Sequence, residues 1–423
     1  MTTHHPTRLA AAIAALLLGS QPVLAQDQAA DPTRDFVKKV SDATGLEFWG
    51  YARSGFYSGN KDQGRLRGNY SLGGDLQKYR LGNEGDHYIE FGIGKRFDLG
   101  DGGKWGVFYQ PKIYNGDTGT AQAYATMTGI FGNSATLWAG QRFHRIQDVH
   151  IVDNWVMEDG DNYGAGVDDI PLFGVGTLNV ALYNSDSFDN KAGNPNNAHR
   201  LNLQWRKIPT NPGGSITVTG ALVNGDFARG SDGGALGIVH NQKDFLVKGL
   251  NNSLMLQASN GHADIRGKFY GLDDAAGTPS AGARQRRILD TVDFQIGKLG
   301  GQALIGYQTL KPDQGLEQKD FSLGGRLTYG IAPRTKLIGE VATTSRKMDG
   351  GETQRLNKGT MAVAFSPNTD FWTRPEFRVY YTHANWNSAA AAAHSDPANG
   401  PAYGINDKRS NNTFGVQMEV WWE

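Results

Sequence analysis

The chain ends in Phe414-Gly-Val-Gln-Met-Glu-Val-Trp-Trp-Glu423, in which apolar side chains alternate with a second, mostly polar set. Successive side chains of a β-strand point to opposite faces, so this stretch predicts a strand with one face suited to hydrocarbon and one suited to water. A soluble β-sandwich would bury the apolar face, but it would leave a long aromatic strand unprotected at an edge. A closed membrane barrel uses the same strand and has no edge. The pattern favours the barrel, with the sandwich as the alternative.

The beginning of the chain reads as a secretory signal. Arg8 supplies the positive charge, residues 9–18 form an apolar run too short to span a membrane, and Val23-Leu-Ala25 provides a small-residue cleavage site. We predict a signal peptide over 1–25, a periplasmic lead-in over 26–45 with at most two helical turns, and one β-barrel domain over 46–423. No later apolar run has spanning length, so only strands could cross a membrane.

The composition agrees with such a barrel. The 42 basic and 42 acidic side chains balance, which argues against a nucleic-acid partner because that partner requires a basic surface. The absence of cysteine excludes disulfides and thiolate metal sites. A mean hydropathy of −0.48 with 57 glycines and many aromatic residues describes a chain too polar for membrane helices. It suits a barrel, in which only half of each strand meets lipid.

Short alternating runs recur between turn-forming residues along the whole chain. They are 87–94, 178–183, 201–205, 216–222, 254–258, 321–329, 337–343, 361–365 and 377–383. Spans of about 9 to 11 residues, with connections, predict roughly 16 to 20 strands, which is enough for an aqueous lumen. Arg142 to Trp155 is charged and aromatic without alternation, and we interpret it as a loop folded into that lumen. Asn211-Pro-Gly-Gly214 predicts a tight turn, and 388–412 predicts a long loop.

Enzymatic and metal chemistry find little support. His144, Asp148, His150 and Asp153 do not have the spacing of a known metal motif, and no dinucleotide fingerprint, phosphate loop or nucleophile elbow occurs. We therefore predict no cofactor, no metal and no catalytic residue. A membrane-embedded hydrolase that uses a serine and a histidine remains an alternative, because sequence does not reveal spatial neighbours.

Several aromatic residues share a strand face with charged residues. Tyr51 lies two positions from Arg53, Tyr88 two from Glu90, Trp372 two from Arg374 and Trp421 two from Glu419. Aromatic rings can stack on the apolar faces of sugars, while charged groups hydrogen-bond the hydroxyls at the ring edges. These pairs predict a path for sugars through the lumen. The alternative is that the aromatic residues mark the membrane interfaces on the lipid face.

At this point the chain resembles the maltoporins and related sugar porins of Gram-negative outer membranes. The blocks that carry the resemblance keep the family's order. They are Phe48-Trp-Gly-Tyr-Ala-Arg-Ser-Gly55, Lys78-Tyr-Arg-Leu-Gly-Asn-Glu84, Trp138-Ala-Gly-Gln-Arg-Phe143, Asp148-Val-His150 with Asp153, Gly164-Ala-Gly166, Asn211-Pro-Gly-Gly214, Arg287-Ile-Leu-Asp290, Trp372-Thr-Arg-Pro375 and Gln417-Met-Glu-Val-Trp-Trp422. The resemblance implies an antiparallel barrel of 18 strands in the outer membrane, assembled as a homotrimer, with the third loop folded inward as a constriction.

The resemblance also implies site residues. Tyr51, Tyr88, Trp372 and Trp421 match an aromatic slide, and Arg53, Arg80, Glu90, Asp148 and Asp153 match its polar track. Trp155 replaces the family's constriction tyrosine, and Ile146 stands where an arginine is expected, with Arg145 one place earlier. We therefore predict a constriction of Arg142, Arg145 and Trp155.

Other departures put the preference for long maltodextrins in question. The second loop, about 115–128, looks short, and no counterpart is evident for the tryptophan that a neighbouring subunit supplies in the family, unless Tyr114 or Tyr124 replaces it. A further slide aromatic is missing near 236–238. The predicted function is facilitated diffusion of oligosaccharides such as maltose and maltodextrins. The alternatives are another saccharide such as sucrose, or a general diffusion porin.

Overall fold

The computed structural model describes residues 32–59, 68–131, 134–159, 162–185, 197–227, 229–272, 281–396 and 402–422. Eighteen of the strands form one closed antiparallel barrel. Each barrel strand pairs with the next along the chain, except that β5 pairs with β8 because β6 and β7 form a separate hairpin. The pairing of β20 with β1 closes the barrel. The predicted barrel is thus confirmed, whereas the predicted signal peptide lies outside the described residues.

The strands and helices are numbered in chain order. The strands are β1 Glu47–Gly59, β2 Tyr88–Asp98, β3 Lys104–Tyr114, β4 Asp117–Thr128, β5 Thr136–Arg142, β6 Arg145–Val149, β7 Asn154–Asp159, β8 Asn162–Pro171, β9 Thr177–Asn184, β10 Asn197–Pro209, β11 Gly214–Asp226, β12 Gly233–Gln242, β13 Leu250–Asn260, β14 Ala283–Ile296, β15 Leu299–Pro312, β16 Gln318–Ala332, β17 Thr335–Met348, β18 Gln354–Phe365, β19 Glu376–Trp386 and β20 Ser410–Trp422; the helices are α1 Pro32–Thr44 and α2 Ser388–Ala393.

The last strand shows why the alternation specifies a barrel. Phe414 and Val416 are 45% and 41% exposed on the outer face, while Gln417 and Glu419 are buried on the inner face. Backbone pairing to β19 on one side and β1 on the other leaves no free edge on this strand. The aromatic end of the chain is therefore protected by closure, as predicted.

Connections alternate in length around the barrel. One end, here called the short-turn end, carries turns such as 297–298 and 333–334, and the other, the long-loop end, carries longer connections that include residues 68–87, 143–159 and 387–396. The turn at Asn211 is confirmed, with the Gly214 backbone N–H donating to the Asn211 carbonyl at 2.7 Å. The prediction of a loop over 115–128 is wrong, because only residues 115 and 116 turn and the rest is β4. Asn115 and Gly116 both have positive φ, which allows this two-residue turn.

The lead-in helix is longer than predicted. Helix α1 has 13 residues rather than two turns. It ends where expected, since Gly45 adopts a φ of 63° and its N–H donates to the Ser41 carbonyl. Within the described part of the chain, no helix is long and apolar enough to cross a membrane.

Residues 68–87 also fold into the barrel, and charged side chains of the wall hold them there. Glu340 accepts hydrogen bonds from the Leu81 N–H at 3.0 Å and from Lys358 at 2.8 Å, and Lys358 also donates to the Leu81 carbonyl. Arg326 completes an ion pair with Glu340 at 2.7 Å. Removing one partner of such a buried pair typically costs about 3 to 5 kcal/mol. The wall thus fixes this segment as firmly as a strand.

Candidate functional site

A hairpin of β6 and β7 folds into the barrel, as predicted for the third loop. Its apolar side chains share a core with residues 68–87 and with the barrel wall. The core comprises Leu76, Tyr79, Val149, Ile151, Val152, Val156, Met157, Val239, Met255, Leu289, Leu304, Ala342 and Phe371. Gln302 accepts from the Ile151 N–H at 2.9 Å, and Arg287 donates to the Val156 carbonyl at 2.9 Å. Packing and hydrogen bonds from several strands therefore fix the hairpin inside the lumen.

Five aromatic side chains follow one another along the inner wall, and we call them the aromatic row: Tyr114, Tyr88, Tyr51, Trp421 and Trp372. The Tyr114 and Tyr88 ring centroids are 6.0 Å apart, as are those of Tyr88 and Tyr51. Tyr51 lies opposite Trp421 in the β1–β20 register. The structure brings together the four predicted aromatics and adds Tyr114. It excludes the alternative that they face lipid.

The aromatic row runs the length of the barrel. Tyr114 ends β3 at the long-loop end, whereas Trp372 lies in the turn 366–375 at the short-turn end. The strand parity used to predict Trp372 was wrong, because β19 begins only at Glu376. Trp372 instead reaches the lumen because its turn folds inward. The neighbouring Phe371 joins the core beneath the hairpin, and the indole of Trp372 remains 40% exposed.

His150 joins the lower part of the row to the hairpin. Its ring lies edge-on to Trp372 and Trp421, at centroid distances of 5.4 and 5.6 Å. Arg80 contacts its Nδ1 at 3.1 Å and Arg374 contacts its Nε2 at 3.2 Å. The histidine is buried and touches both indoles, so it fixes their position relative to the hairpin.

A group of charged residues, here called the Asp153 cluster, lies beside the row and consists of Asp153, Arg53, Lys78, Arg80 and Glu84. Asp153 is 3.1 Å from both Arg53 and Lys78, and Glu84 is within 3.1 Å of all three cations. The side chains of Asp153 and Lys78 are 31% and 28% exposed, while those of Arg80 and Glu84 are buried. Although burial acts to raise it, Arg80, Lys78 and Arg53 hold the pKa of Asp153 well below its usual range. The cluster therefore presents a charged carboxylate and an ammonium group to the lumen.

Glu419 is a buried carboxylate that contacts the middle of the aromatic row. The Tyr51 hydroxyl donates to Glu419 at 2.9 Å, and Arg374 and Arg80 each pair with this carboxylate at 2.8 Å. The Arg374 guanidinium also lies 4.1 Å from the Trp421 ring centroid, a distance typical of cation–π contact. Charged groups therefore orient both rings.

Glu90 belongs to the upper part of the row. It accepts hydrogen bonds from the Tyr88 hydroxyl and from Gln110, the latter at 2.9 Å. Trp49 donates to Gln110 at 2.7 Å. Glu90 is buried, so its contacts fix the Tyr88 ring rather than project into open space.

The hairpin carries Trp155 on the side away from its packed core. Its ring is half-buried and lies 6.0 Å from the Arg145 guanidinium, which is itself 3.6 Å from the Phe143 ring centroid. Asp148 is opposite Trp155 in the hairpin register, and burial raises the pKa of Asp148 to about 7, with the charge of Asp153 acting in the same direction. Trp155 is absent from the apolar core that holds the hairpin against the wall.

Arg142 lies on the barrel wall rather than on the hairpin. It is in β5 and pairs with Asp168 of β8 at 2.6 Å. Its guanidinium lies 5.3 Å from the Tyr124 ring and 5.2 Å from the Trp138 ring. Of the three predicted constriction residues, only Arg145 and Trp155 therefore lie on the inward hairpin.

Several residues of the site were not selected from the sequence. Lys78, Glu84 and His150 lie in blocks that carried the family resemblance, and His150 was otherwise considered only as a metal ligand. Tyr114 was left open, and its place opposite Tyr88 became evident only from the strand register. The expected gap in the slide is present, since Leu236 and Ile238 are 55% and 38% exposed on the outer face.

A cavity of about 420 Å³ adjoins the upper row. It is lined by Arg53, Tyr88, Lys112, Tyr114, Asp117, Thr118 and Gly119. Its lining combines two tyrosine rings with charged and hydroxyl groups. It could therefore accommodate a small polar molecule with an apolar face.

The structure also bears on metal and hydrolase chemistry. Across the described residues, no three histidine, aspartate or glutamate side chains are grouped as metal ligands. Ser54 and His87 form a hydrogen bond of 2.8 Å between Oγ and Nδ1. In the described part of the chain, no side chain hydrogen-bonds the other ring nitrogen of His87, so the third group that orients a catalytic histidine is missing there.

Solved barrels resemble this fold at low sequence identity. OccD3 (OpdP) from Pseudomonas aeruginosa aligns at 10% identity with a TM-score of 0.48, covering 89% of this chain and 91% of that one. An anion-selective porin from Comamonas acidovorans aligns at 12% identity with a TM-score of 0.46, covering 89% and 99%. OmpT of Vibrio cholerae, solved in a trimer form, aligns at 11% identity with a TM-score of 0.45, covering 89% and 99%.

Comparison with protein families gives a match over almost the whole barrel. The family described as LamB porin matches residues 46–422. The matched range begins one residue before β1 and ends with the last residue of β20.

Proposed function

This chain belongs to the LamB porin family and forms a channel through the outer membrane, and we propose that the channel conducts oligosaccharides of the maltose and maltodextrin type. The observation that carries the proposal is the aromatic row, which extends from one end of the barrel to the other beside charged residues. A pore for ions alone has no need of such a series of rings. A sugar does, because each pyranose ring has apolar faces and a polar edge.

The physical basis is alternation between two kinds of contact. When a sugar ring lies on Tyr51 or Trp421, its apolar face leaves water and stacks on the aromatic ring. Each such aromatic contact is worth about 0.5 to 1.5 kcal/mol. Its hydroxyls then replace water with hydrogen bonds to groups such as Asp153 and Lys78, whose side chains are partly exposed. Because neighbouring rings offer similar contacts, a sugar can leave one as it meets the next. The result is saturable, passive diffusion.

The narrow point of the path would lie at the hairpin, where we assign Trp155 and Arg145 to the constriction. The indole can stack or fill space, but its only polar group is a donor, so it cannot accept from a sugar hydroxyl. Hydrogen bonds from the sugar hydroxyls would then be accepted by Asp153 and Asp148. A constriction of this kind would suit short oligosaccharides better than long maltodextrins.

Three other functions make different predictions. A porin for another saccharide such as sucrose would use the same row with a different size preference. A general diffusion porin would show no sugar affinity at all. A hydrolase would require a complete catalytic group around Ser54 and His87, and neither a carboxylate nor an amide side chain orients His87 in the described residues.

Single-channel ion current in the presence of sugars distinguishes these functions. We expect block that saturates with maltose and maltotriose and that is stronger than block by sucrose. Stronger block by sucrose would indicate the second function, and no block by any sugar at high concentration would indicate a general porin. Release of product from a glycoside or an ester would indicate an enzyme.

We also propose that the protein is a homotrimer, as the family resemblance implies. The physical support is on the outer face of β4, where Ala123 and Ala125 are exposed and present small side chains. Small residues allow another barrel to approach closely. An unheated detergent gel should show a band near three times the protomer mass. A monomer that persists under mild extraction would contradict the trimer.

A further inference from the structure

A set of cations lies on the outer face of the barrel near the long-loop end. It spans five adjacent strands, β14 to β18. We call it the cation belt, and it comprises Arg284, Arg286, Lys311, Lys319, Lys347 and Arg355. The alternation of each strand places these side chains on the same face as exposed apolar residues such as Ile288, Tyr307 and Met361.

The position of the belt is set by the apolar band beneath it. On β16, Lys319 precedes an outward series that runs from Phe321 to Ile331 with Leu323, Leu327 and Tyr329 exposed between them. The ten steps from Phe321 to Ile331, at about 3.3 Å each and a tilt of about 40°, span about 25 Å, which matches the apolar band of roughly 25 Å in outer-membrane barrels. Lys319 and its neighbours therefore lie just beyond the hydrocarbon, at the level of lipid headgroups.

The belt contains like charges in direct opposition. Arg284 pairs with Lys311 in the β14–β15 register, and Lys319 pairs with Lys347 in the β16–β17 register. Like charges directly across a sheet are destabilising. Lys319 is compensated by Asp349 and Glu317, at 3.3 and 3.4 Å. The described residues provide no ion pair for the other five cations, so an anion from outside the chain would relieve their repulsion.

Within the described residues, the belt does not continue onto β9 to β13. At the same level on those strands, the exposed side chains include Asn184, His199, Asn224 and Asn260. At the opposite end of β16 to β19, the outward residues Tyr329, Ile331, Phe365 and Phe377 carry no charge. The charge is thus specific to the upper edge of one lipid-facing surface, which indicates a lipid headgroup rather than a general basic rim.

We propose that the cation belt binds the phosphate groups of the phosphorylated glycolipid in the outer leaflet, with the acyl chains lying on the apolar band below. Long loops face the exterior in outer-membrane barrels, so the belt meets that leaflet. The glycolipid supplies two phosphates on a disaccharide, whose spacing suits cations distributed over several strands. Each basic residue near an anionic lipid surface contributes about 1 kcal/mol, which corresponds to about fivefold in affinity.

The test uses the full protein in detergent and native mass spectrometry with diphosphorylated lipid A as the probe. Arg286→Gln with Lys347→Gln should weaken binding about 25-fold, at about fivefold for each charge. The matched control, Lys298→Gln with Arg334→Gln, removes one lysine and one arginine from exposed turns at the short-turn end and should bind as the unmodified protein does. Sugar block should be unchanged in both variants, so this proposal can fail independently of the proposed function.

Two further arms separate lipid from phosphate. Phosphate-free lipid A should bind the unmodified protein more weakly than lipid A binds the double variant, because it loses the contribution of every cation in the belt. Equal binding of both lipids, or an equal loss in the control, would overturn the proposal. Inorganic pyrophosphate alone should not reproduce the thermal stabilisation that lipid A gives. If it did, the belt would be an anion site without a lipid. If the double variant fails to fold, salt should release lipid A from the unmodified protein, and salt-independent binding would refute the proposal.

Discussion

Trp421 and Trp422 offer a comparison within two adjacent residues of β20. Trp421 lies in the aromatic row under the Arg374 guanidinium, whereas Trp422 lies on the outer face with its ring centroid 6.3 Å from that of Phe91. Trp421→Ala removes one stacking surface from the sugar path and leaves the ion pair between Arg374 and Glu419 in place. The loss should be about 1 kcal/mol, from a range of about 0.5 to 1.5 kcal/mol for one aromatic contact. This corresponds to about fivefold weaker sugar block.

The assay is titration of maltotriose against single-channel current, with Trp422→Ala as the matched control. We expect Trp421→Ala to weaken block and to leave ion conductance unchanged or slightly higher, because truncation opens space. Trp422→Ala removes an identical side chain from the opposite face of the same strand, so sugar block should not change. If both substitutions weakened sugar block equally, the cause would be a change in barrel stability, and the role of the aromatic row in sugar binding would be refuted.

Three further predictions concern the hairpin. Trp155→Ala should raise ion conductance and Trp155→Tyr should shift the preference towards longer maltodextrins; a quiet channel of unchanged conductance would contradict the constriction. Asp153→Asn should weaken sugar block by about 10- to 150-fold, since hydrogen bonds to charged groups are worth about 1.5 to 3 kcal/mol, and should shift the reversal potential towards anions because nearby cations lose their partner. Asp148 is charged above its raised pKa and neutral below it, so cation preference should fall as pH drops from about 8.5 to about 5.5. Asp148→Asn should remove that pH dependence, and a persisting titration would assign it to another group.

The fold could be predicted because barrel strands repeat one rule. Every second residue of β20 meets lipid and the others meet the lumen, so alternation alone separates the two faces. The rule also placed Tyr51, Tyr88 and Trp421 on the inner wall. It gives no information where the chain leaves the sheet, which is why residues 68–87 were not predicted to fold inward.

The site was less predictable because its contacts join distant segments. Glu419 pairs with Arg80 and Arg374, which are hundreds of positions and tens of positions away along the chain. Strand alternation was used to predict that Trp372 faces the lumen, but Trp372 lies in a turn, where alternation does not apply. The length of α1 was also underestimated, because few of its residues are apolar. Contacts with the inward segments, rather than local sequence, determine the positions of Glu419 and Trp372.

The two-residue turn at Asn115 and Gly116 bears on whether one subunit contributes residues to the sugar path of another. Because only two residues connect β3 and β4, this connection is too short to extend over a neighbouring barrel. The aromatic ring at the long-loop end of the row is therefore Tyr114 of the same chain. Each barrel would then hold a complete path of its own. In an assembly of several barrels, occupation of one pore should leave the affinity of the others unaltered, and binding should follow a simple hyperbola with a Hill coefficient close to one.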